Sequence, residues 1–124
     1  MINQIFLISS AYLIGSLSFG IIVSKFLNLS DPRTIGSKNP GATNVMRTGN
    51  KLAAVLTLLG DILKATIVVK IVILIGLNEL ETMQVCIAVL IGHTFPIYYK
   101  FKGGKGVATA LGILLATNWI LALS

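Results

Sequence analysis

The chain has 124 residues, 55% hydrophobic and only 11% charged, with a mean hydropathy of +0.89. A soluble domain carries about 25% charged residues on a polar surface, and disorder needs low hydrophobicity with high charge, so both classes are excluded. The net charge of +6 would indicate nucleic acid in a soluble protein, but here the bases fall in gaps between apolar runs, which indicates an all-α integral membrane protein of one domain over 1–124.

Four apolar runs follow in chain order, and about four transmembrane helices are predicted. The first goes from Ile5 to about Leu27. It has no basic n-region or A-x-A site, so it reads as a retained spanning helix. The second runs from Leu52 to Leu77, the third from Met83 to about Tyr99, and the fourth from Gly106 to Leu123. A bilayer core of about 30 Å needs roughly 20 helical residues, so the third run must borrow interfacial ones. The fourth ends at Ser124 with no polar flank after Trp119. The chain is therefore expected to be incomplete at its C-terminus, the alternative being a helix that ends in the outer interface.

Lys25, Arg33, Lys38, Arg47 and Lys51 occupy the first gap with Asp31 the only acid. Lys100, Lys102 and Lys105 occupy the third, whereas Glu79 and Glu81 occupy the second without a base. The positive-inside rule then puts both basic gaps in the cytoplasm and the N-terminus outside.

The first basic gap, Asp31 to Gly49, mixes turn formers (Pro32, Gly36, Pro40, Gly41) with short donors (Thr34, Ser37, Asn39, Thr43, Asn44) and cations. Such turns can aim several N–H groups into one concavity, and arginine adds a bidentate fork for phosphate. An ordinary polar loop obeying the charge rule is the alternative. The second basic gap, Phe101 to Thr109, leads a glycine-rich turn with Lys102 and Lys105 into an apolar helix, which also favours phosphate. It is not a P-loop, because Gly106 follows Lys105 where Ser or Thr would stand. A basic turn with a glycine break is the alternative there.

Asp61 and Lys64 lie three apart on one face of the second run. Charges inside a membrane are functional candidates by default, and the alternative is a self-neutralising pair facing the bundle interior. Lys70 is expected to snorkel or line a cavity. His93 is the single histidine and Cys86 the single cysteine, so no metal or disulfide framework follows. His93 is either a hydrogen-bonded structural residue or part of a site beside Lys102 and Lys105. Gly15, Ser16, Ser18 and Gly20 read as small residues for close helix packing. Without a nucleophile–base–orienter triad, catalysis would rest on positioning and charge stabilisation.

Three blocks of residues carry a resemblance over the whole chain. They are Gly36-Ser37-Lys38-Asn39-Pro40-Gly41-Ala42-Thr43-Asn44-Val45 with Arg47 and Gly49, then Gly60-Asp61 with Lys64, then Gly92-His93, Pro96 and Phe101 to Thr109. With them the chain resembles the bacterial acyl-phosphate-dependent glycerol-3-phosphate acyltransferases. The resemblance implies the N-terminal part of a seven-helix bundle in the inner membrane, with its N-terminus extracytoplasmic. It implies transfer of a fatty acyl group from acyl phosphate to the 1-hydroxyl of glycerol 3-phosphate, giving lysophosphatidic acid, with no cofactor, no metal and no nucleic acid. Membrane lipid and the two phosphate-bearing substrates are then the partners.

By the same resemblance Ser37, Arg47, His93 and Lys105 carry the catalytic site. Ser37, Asn39, Asn44, Arg47, Lys102, Gly103, Gly104 and Lys105 would bind substrate phosphate, with either Lys102 or Lys105 as the contact. Asp61 and Lys64 would support them. Three departures stand out. Ser18 stands where relatives usually have proline, Ala65 where they have glycine, and the family's later helices with a functional asparagine have no counterpart here. A small anion transporter or channel subunit, or a non-catalytic scaffold, are the competing readings.

Overall fold

The computed structural model describes residues 3–118, and among them every regular element is helical. Helix α1 spans Gln4–Gly15, α2 Phe19–Phe26, α3 Ala42–Met46, α4 Lys51–Leu74, α5 Glu79–Thr94 and α6 Val107–Thr117. Short 3-10 turns at Pro32–Thr34 and Ile97–Tyr99 punctuate the two basic gaps.

The first apolar run, expected as one spanning helix, is broken. α1 and α2 meet at 45°, and Ser18 is extended at φ −94° and ψ 106°. The Ser16 hydroxyl donates back to the Tyr12 carbonyl (2.8 Å) and accepts the Ile97 N–H (3.3 Å), which ties the break to the end of α5. A break at membrane depth survives only if protein groups satisfy the backbone it frees. Helix α4 supplies them. Lys64 Nζ donates to the carbonyls of Gly15 (2.9 Å) and Leu17 (2.7 Å), and the Phe19 N–H reaches Asp61 Oδ1 at 3.4 Å.

α4 starts at Asn50, whose side chain accepts the Ala53 N–H. Its 24 residues reach roughly 36 Å at 1.5 Å per residue, enough to cross a bilayer core. α5 starts four residues before the predicted Met83, because Asn78 and Glu81 form a reciprocal capping box. With the following turn it makes an apolar segment of 21 residues, Glu79–Tyr99, so the borrowing expected of the third run occurs at its N-terminal end. Two helices are therefore long and apolar enough to cross, or three if α1 and α2 count as one broken span, where about four spans were expected. α6, at 11 residues, is too short as described. The rest of the predicted fourth run, with Trp119 and Ser124, lies outside the described residues.

α4 is the centre of the packing, with α2 and α3 on one side and α6 on another, while α1 lies along α5. The core between them is made of small residues: Ala11, Ala65, Val68, Val72, Val85, Ala88 and Val89. α1 and α5 cross at backbone contact. A Cβ on Gly15 would overlap the Val89 carbonyl, and one on Gly92 would overlap the Tyr12 carbonyl. This is the close approach that drives helix association in lipid. Gly20 lies against the Pro40 carbonyl of the basic segment and also faces the Thr57 methyl of α4. Ala65 packs its methyl toward Gly112 of α6. Leu63, Ile67, Ile71 and Leu74 of α4 and Ile87 and Ile91 of α5 remain exposed, an apolar surface suited to hydrocarbon. Lys70 is exposed on this surface.

Candidate functional site

The first basic segment is folded by its own side chains. Asp31 caps the Pro32–Thr34 turn and holds Arg33 in a fork, with Nε at 3.0 Å from Oδ1 and Nη2 at 2.6 Å from Oδ2. The arginine keeps the Asp31 carboxyl below the usual carboxylate range, and its guanidinium sits 5.6 Å over the Tyr99 ring. Arg33 is thus occupied within the loop. Asn44 is buried at the loop's centre. Its amide nitrogen donates to the Pro32 (2.7 Å) and Ile35 (3.1 Å) carbonyls, and its oxygen accepts the Ser37 N–H (3.1 Å). Both amide donors are consumed, so Asn44 organises the segment and its side chain has no N–H left for the phosphate it was expected to bind.

Asn39 behaves differently. Its oxygen accepts the Gly41 N–H at 2.8 Å, leading into α3, while its amide nitrogen has no protein partner among the described residues. Arg47 follows α3 directly as its C-cap and is exposed.

The second basic segment turns back sharply after α5, with Lys100 and Phe101 both left-handed at φ 55° and 61°. The turn lays Gly103 and Gly104 against the end of α5, where their N–H groups donate to the carbonyls of Thr94 (3.0 Å) and His93 (3.2 Å). These two N–H groups were expected to bind phosphate. The structure spends them on the carbonyls left open at a helix C-terminus instead. Their small size matters for packing, because a Cβ at Gly103 would overlap the His93 carbonyl. Gly106, at φ 86°, then admits the chain into α6, which has no side-chain cap on its first turn.

The two segments meet. A cavity of about 330 Å³ is lined by Ser37, Asn39 and Arg47 from the first and Lys105 from the second, with Asp61 of α4 and His93 of α5. Asn44 also borders it, whereas Lys102, Gly103, Gly104 and Lys64 do not. Of the two lysines left open by the sequence, Lys105 is therefore the one at the cavity. Arg47 and Lys105 are exposed while Asp61 and His93 are buried, so the cations stand at the cavity's open rim. Val107 and Ala108, in the uncapped first turn of α6, add a helix N-terminus to the same wall. Leu58 and Leu111 give the cavity an apolar side. Neither was singled out in the sequence, although Leu58 lies three residues before Asp61 on the same helical face.

Beneath the cavity, Lys64 Nζ lies 3.2 Å from Asp61 Oδ1 and 2.9 Å from His93 Nδ1. Among the described residues, no group of three or more His, Cys, Asp or Glu could hold a metal ion.

The chain has counterparts among known proteins. The family profile described as glycerol-3-phosphate acyltransferase matches residues 5–124. The chain belongs to the glycerol-3-phosphate acyltransferase family. A curated relative of that name from Methylobacillus flagellatus is 57% identical over 122 residues, covering 98% of this chain and 62% of the relative. Another, from Cupriavidus necator, is 55% identical over 127 residues, covering 99% and 62%. The chain thus spans about three-fifths of the length of these acyltransferases.

Crystal structures of PlsY, an integral membrane glycerol 3-phosphate acyltransferase, superpose on the chain. The glycerol 3-phosphate form gives a TM-score of 0.88 at 41% identity, covering 97% of this chain and 60% of that one. The lysophosphatidic acid form gives 0.87 at 40% identity, covering 97% and 59%. The helical membrane fold expected from the sequence is that of these acyltransferases.

Proposed function

We propose that the chain carries the phosphate-binding part of an enzyme that acylates the 1-hydroxyl of glycerol 3-phosphate with an acyl phosphate donor, giving lysophosphatidic acid. The observation that carries this reading is the convergence of Ser37, Arg47 and Lys105 on one cavity floored by Asp61 and His93. Both substrates of that reaction bear phosphate, and two exposed cations beside an uncapped helix N-terminus suit such anions. The relatives' names, and the ligand forms of the PlsY crystals, support the same substrate class.

In this reading Ser37, Arg47 and Lys105 hold the glycerol phosphate, Asn39 adds its free amide donor, and the start of α6 faces the second phosphate. The 1-hydroxyl oxygen attacks the acyl carbonyl carbon. The bond from that carbon to the phosphate oxygen breaks, inorganic phosphate leaves, and the hydroxyl proton passes to phosphate. An acyl phosphate is already activated, so alignment and charge stabilisation suffice without a covalent enzyme intermediate. The two basic segments face the cytoplasm of the bacterial inner membrane, and the N-terminus lies outside, as the charge bias favours.

The test is turnover in detergent with glycerol 3-phosphate and either a long-chain acyl phosphate or acyl-CoA, on this chain and on one extended by the downstream coding sequence. Lysophosphatidic acid from acyl phosphate alone is expected. Turnover with acyl-CoA alone overturns the donor assignment, and silence from both chains with both donors overturns the acyltransferase reading.

A further inference from the structure

His93 has two distinct faces. Its Nδ1 points into the bundle, 2.9 Å from Lys64 Nζ and 3.9 Å from Asp61 Oδ1. Its Nε2 lies on the side of Gly104 and Asn39, where a Cβ at Gly104 would crowd it, and has no protein partner among the described residues. The residue is only 6% exposed, yet it lines the cavity. A ring nitrogen without a protein partner, on a residue that lines a cavity, is open to a partner from the ligand.

The state of Nδ1 follows from Lys64. Its amino group is surrounded by four acceptors: the Gly15 and Leu17 carbonyls, Asp61 Oδ1 and His93 Nδ1. An ammonium offers three donors and no acceptor. It is also the state that balances the buried Asp61 carboxylate, for which the structure provides no other cation within 4 Å apart from the imidazole itself. An ammonium can face Nδ1 only as a donor, so Nδ1 must carry the lone pair and Nε2 the hydrogen.

We propose that Lys64 is a positioning residue for His93: its ammonium holds the ring as the Nε2–H tautomer and so makes His93 a hydrogen-bond donor into the cavity. The ring then offers no lone pair on the cavity side. It stabilises an anionic oxygen there and does not take the proton of an attacking hydroxyl. Only the identity of that oxygen, on a phosphate or a developing oxyanion, rests on the acyltransferase reading; the tautomer does not.

His93 is the single histidine of the chain, so its imidazole nitrogens can be read without assignment. The experiment is nitrogen NMR of the chain labelled with ¹⁵N-histidine, in detergent near neutral pH and without a polyhistidine tag. A pyrrole-like Nε2 and a pyridine-like Nδ1 are expected, with a preference of roughly tenfold or more, the scale of one hydrogen bond to a charged donor. A protonated Nδ1, alone or in an imidazolium, overturns the proposal in the wild type whatever any variant does. In Lys64→Met that keeps its helical content, the preference should fall toward that of a free imidazole; a preference left unchanged overturns the role of Lys64.

Activity gives a separate readout in a preparation that turns over. His93→Gln, which keeps an amide donor near the Nε2 position, should retain more kcat than His93→Asn, whose amide ends near Nδ1. The reverse order would overturn the donor role. Absence of turnover in the wild type would count against the acyltransferase reading and leave the NMR result standing.

Discussion

Asp61 and Lys64, one helical turn apart on α4, divide the two ends of the α1–α2 break between them. Lys64 takes the carbonyls of Gly15 and Leu17 at the end of α1, and Asp61 takes the Phe19 N–H at the start of α2. The pair neutralises itself at 3.2 Å, but its further bonds make it a clamp on a bend that has no proline. Lys64 also touches His93, and Asp61 lines the cavity, so the clamp and the cavity share Asp61.

Removing both members should therefore cost less than the sum of removing each alone. Lys64→Met leaves a buried carboxylate unpaired and two carbonyls unsatisfied, with an expected loss of about 3–5 kcal/mol. The double variant Asp61→Asn, Lys64→Met should be less destabilised than the sum of the singles. Thermal unfolding of all four proteins in one detergent checks this, and strict additivity would show that the two residues act separately.

Asn44 and Asn39 are separable in the same way. Asn44→Ala removes three hydrogen bonds inside the first basic segment and orphans buried backbone groups, with an expected cost of about 1–3 kcal/mol. The segment should become sensitive to proteolysis between Asp31 and Gly49. Asn39→Ala loses one short turn bond, to the Gly41 N–H, and should leave proteolysis nearly unchanged while weakening phosphate binding. Limited proteolysis run beside a ligand-binding assay separates the two effects.

The Asp31–Arg33 fork gives a small effect with a defined sign. Arg33 lowers the Asp31 pKa in the folded state, so the pair's stabilisation is present above the unfolded value of about 3.9 and is lost as pH falls through the lower folded value. Both side chains are more than a third exposed, so solvent screening limits the contribution to less than about 1 kcal/mol. Asp31→Asn should lower stability slightly at pH 7, and the difference from wild type should vanish in strong acid. Unfolding curves of the two proteins across pH check both statements.

Hydropathy was enough to read the helical membrane fold, because a run of about 20 apolar residues has few alternatives. It could not show the break between Ser16 and Ser18, since the partners that make the break tolerable lie more than 40 residues away on α4. The site was legible in residue type and only partly in role. Ser37, Asn39, Arg47, His93 and Lys105 do meet at one cavity, and phosphate chemistry singles out such residues. Asn44, Gly103 and Gly104 have the right chemistry too, but their polar groups are spent on the Ser37 N–H and on the carbonyls of Pro32, His93 and Thr94. Spacing along the chain does not say which donors the fold consumes. Nor could it choose between Lys102 and Lys105, of which only Lys105 lines the cavity in the fold.

The central claim is that Arg47 and Lys105, 58 residues apart in sequence, serve one phosphate-binding cavity. The most direct test is the affinity of the detergent-purified chain for glycerol 3-phosphate, measured by calorimetry for wild type, Arg47→Ala, Lys105→Met and Lys102→Met, with glycerol as the uncharged control. A charge-assisted hydrogen bond is worth about 1.5–3 kcal/mol, so the Arg47 and Lys105 variants should each bind at least about tenfold more weakly. Lys102→Met should bind as wild type, and glycerol should not bind. Unchanged affinity in Arg47→Ala and Lys105→Met, or loss in Lys102→Met alone, would contradict it.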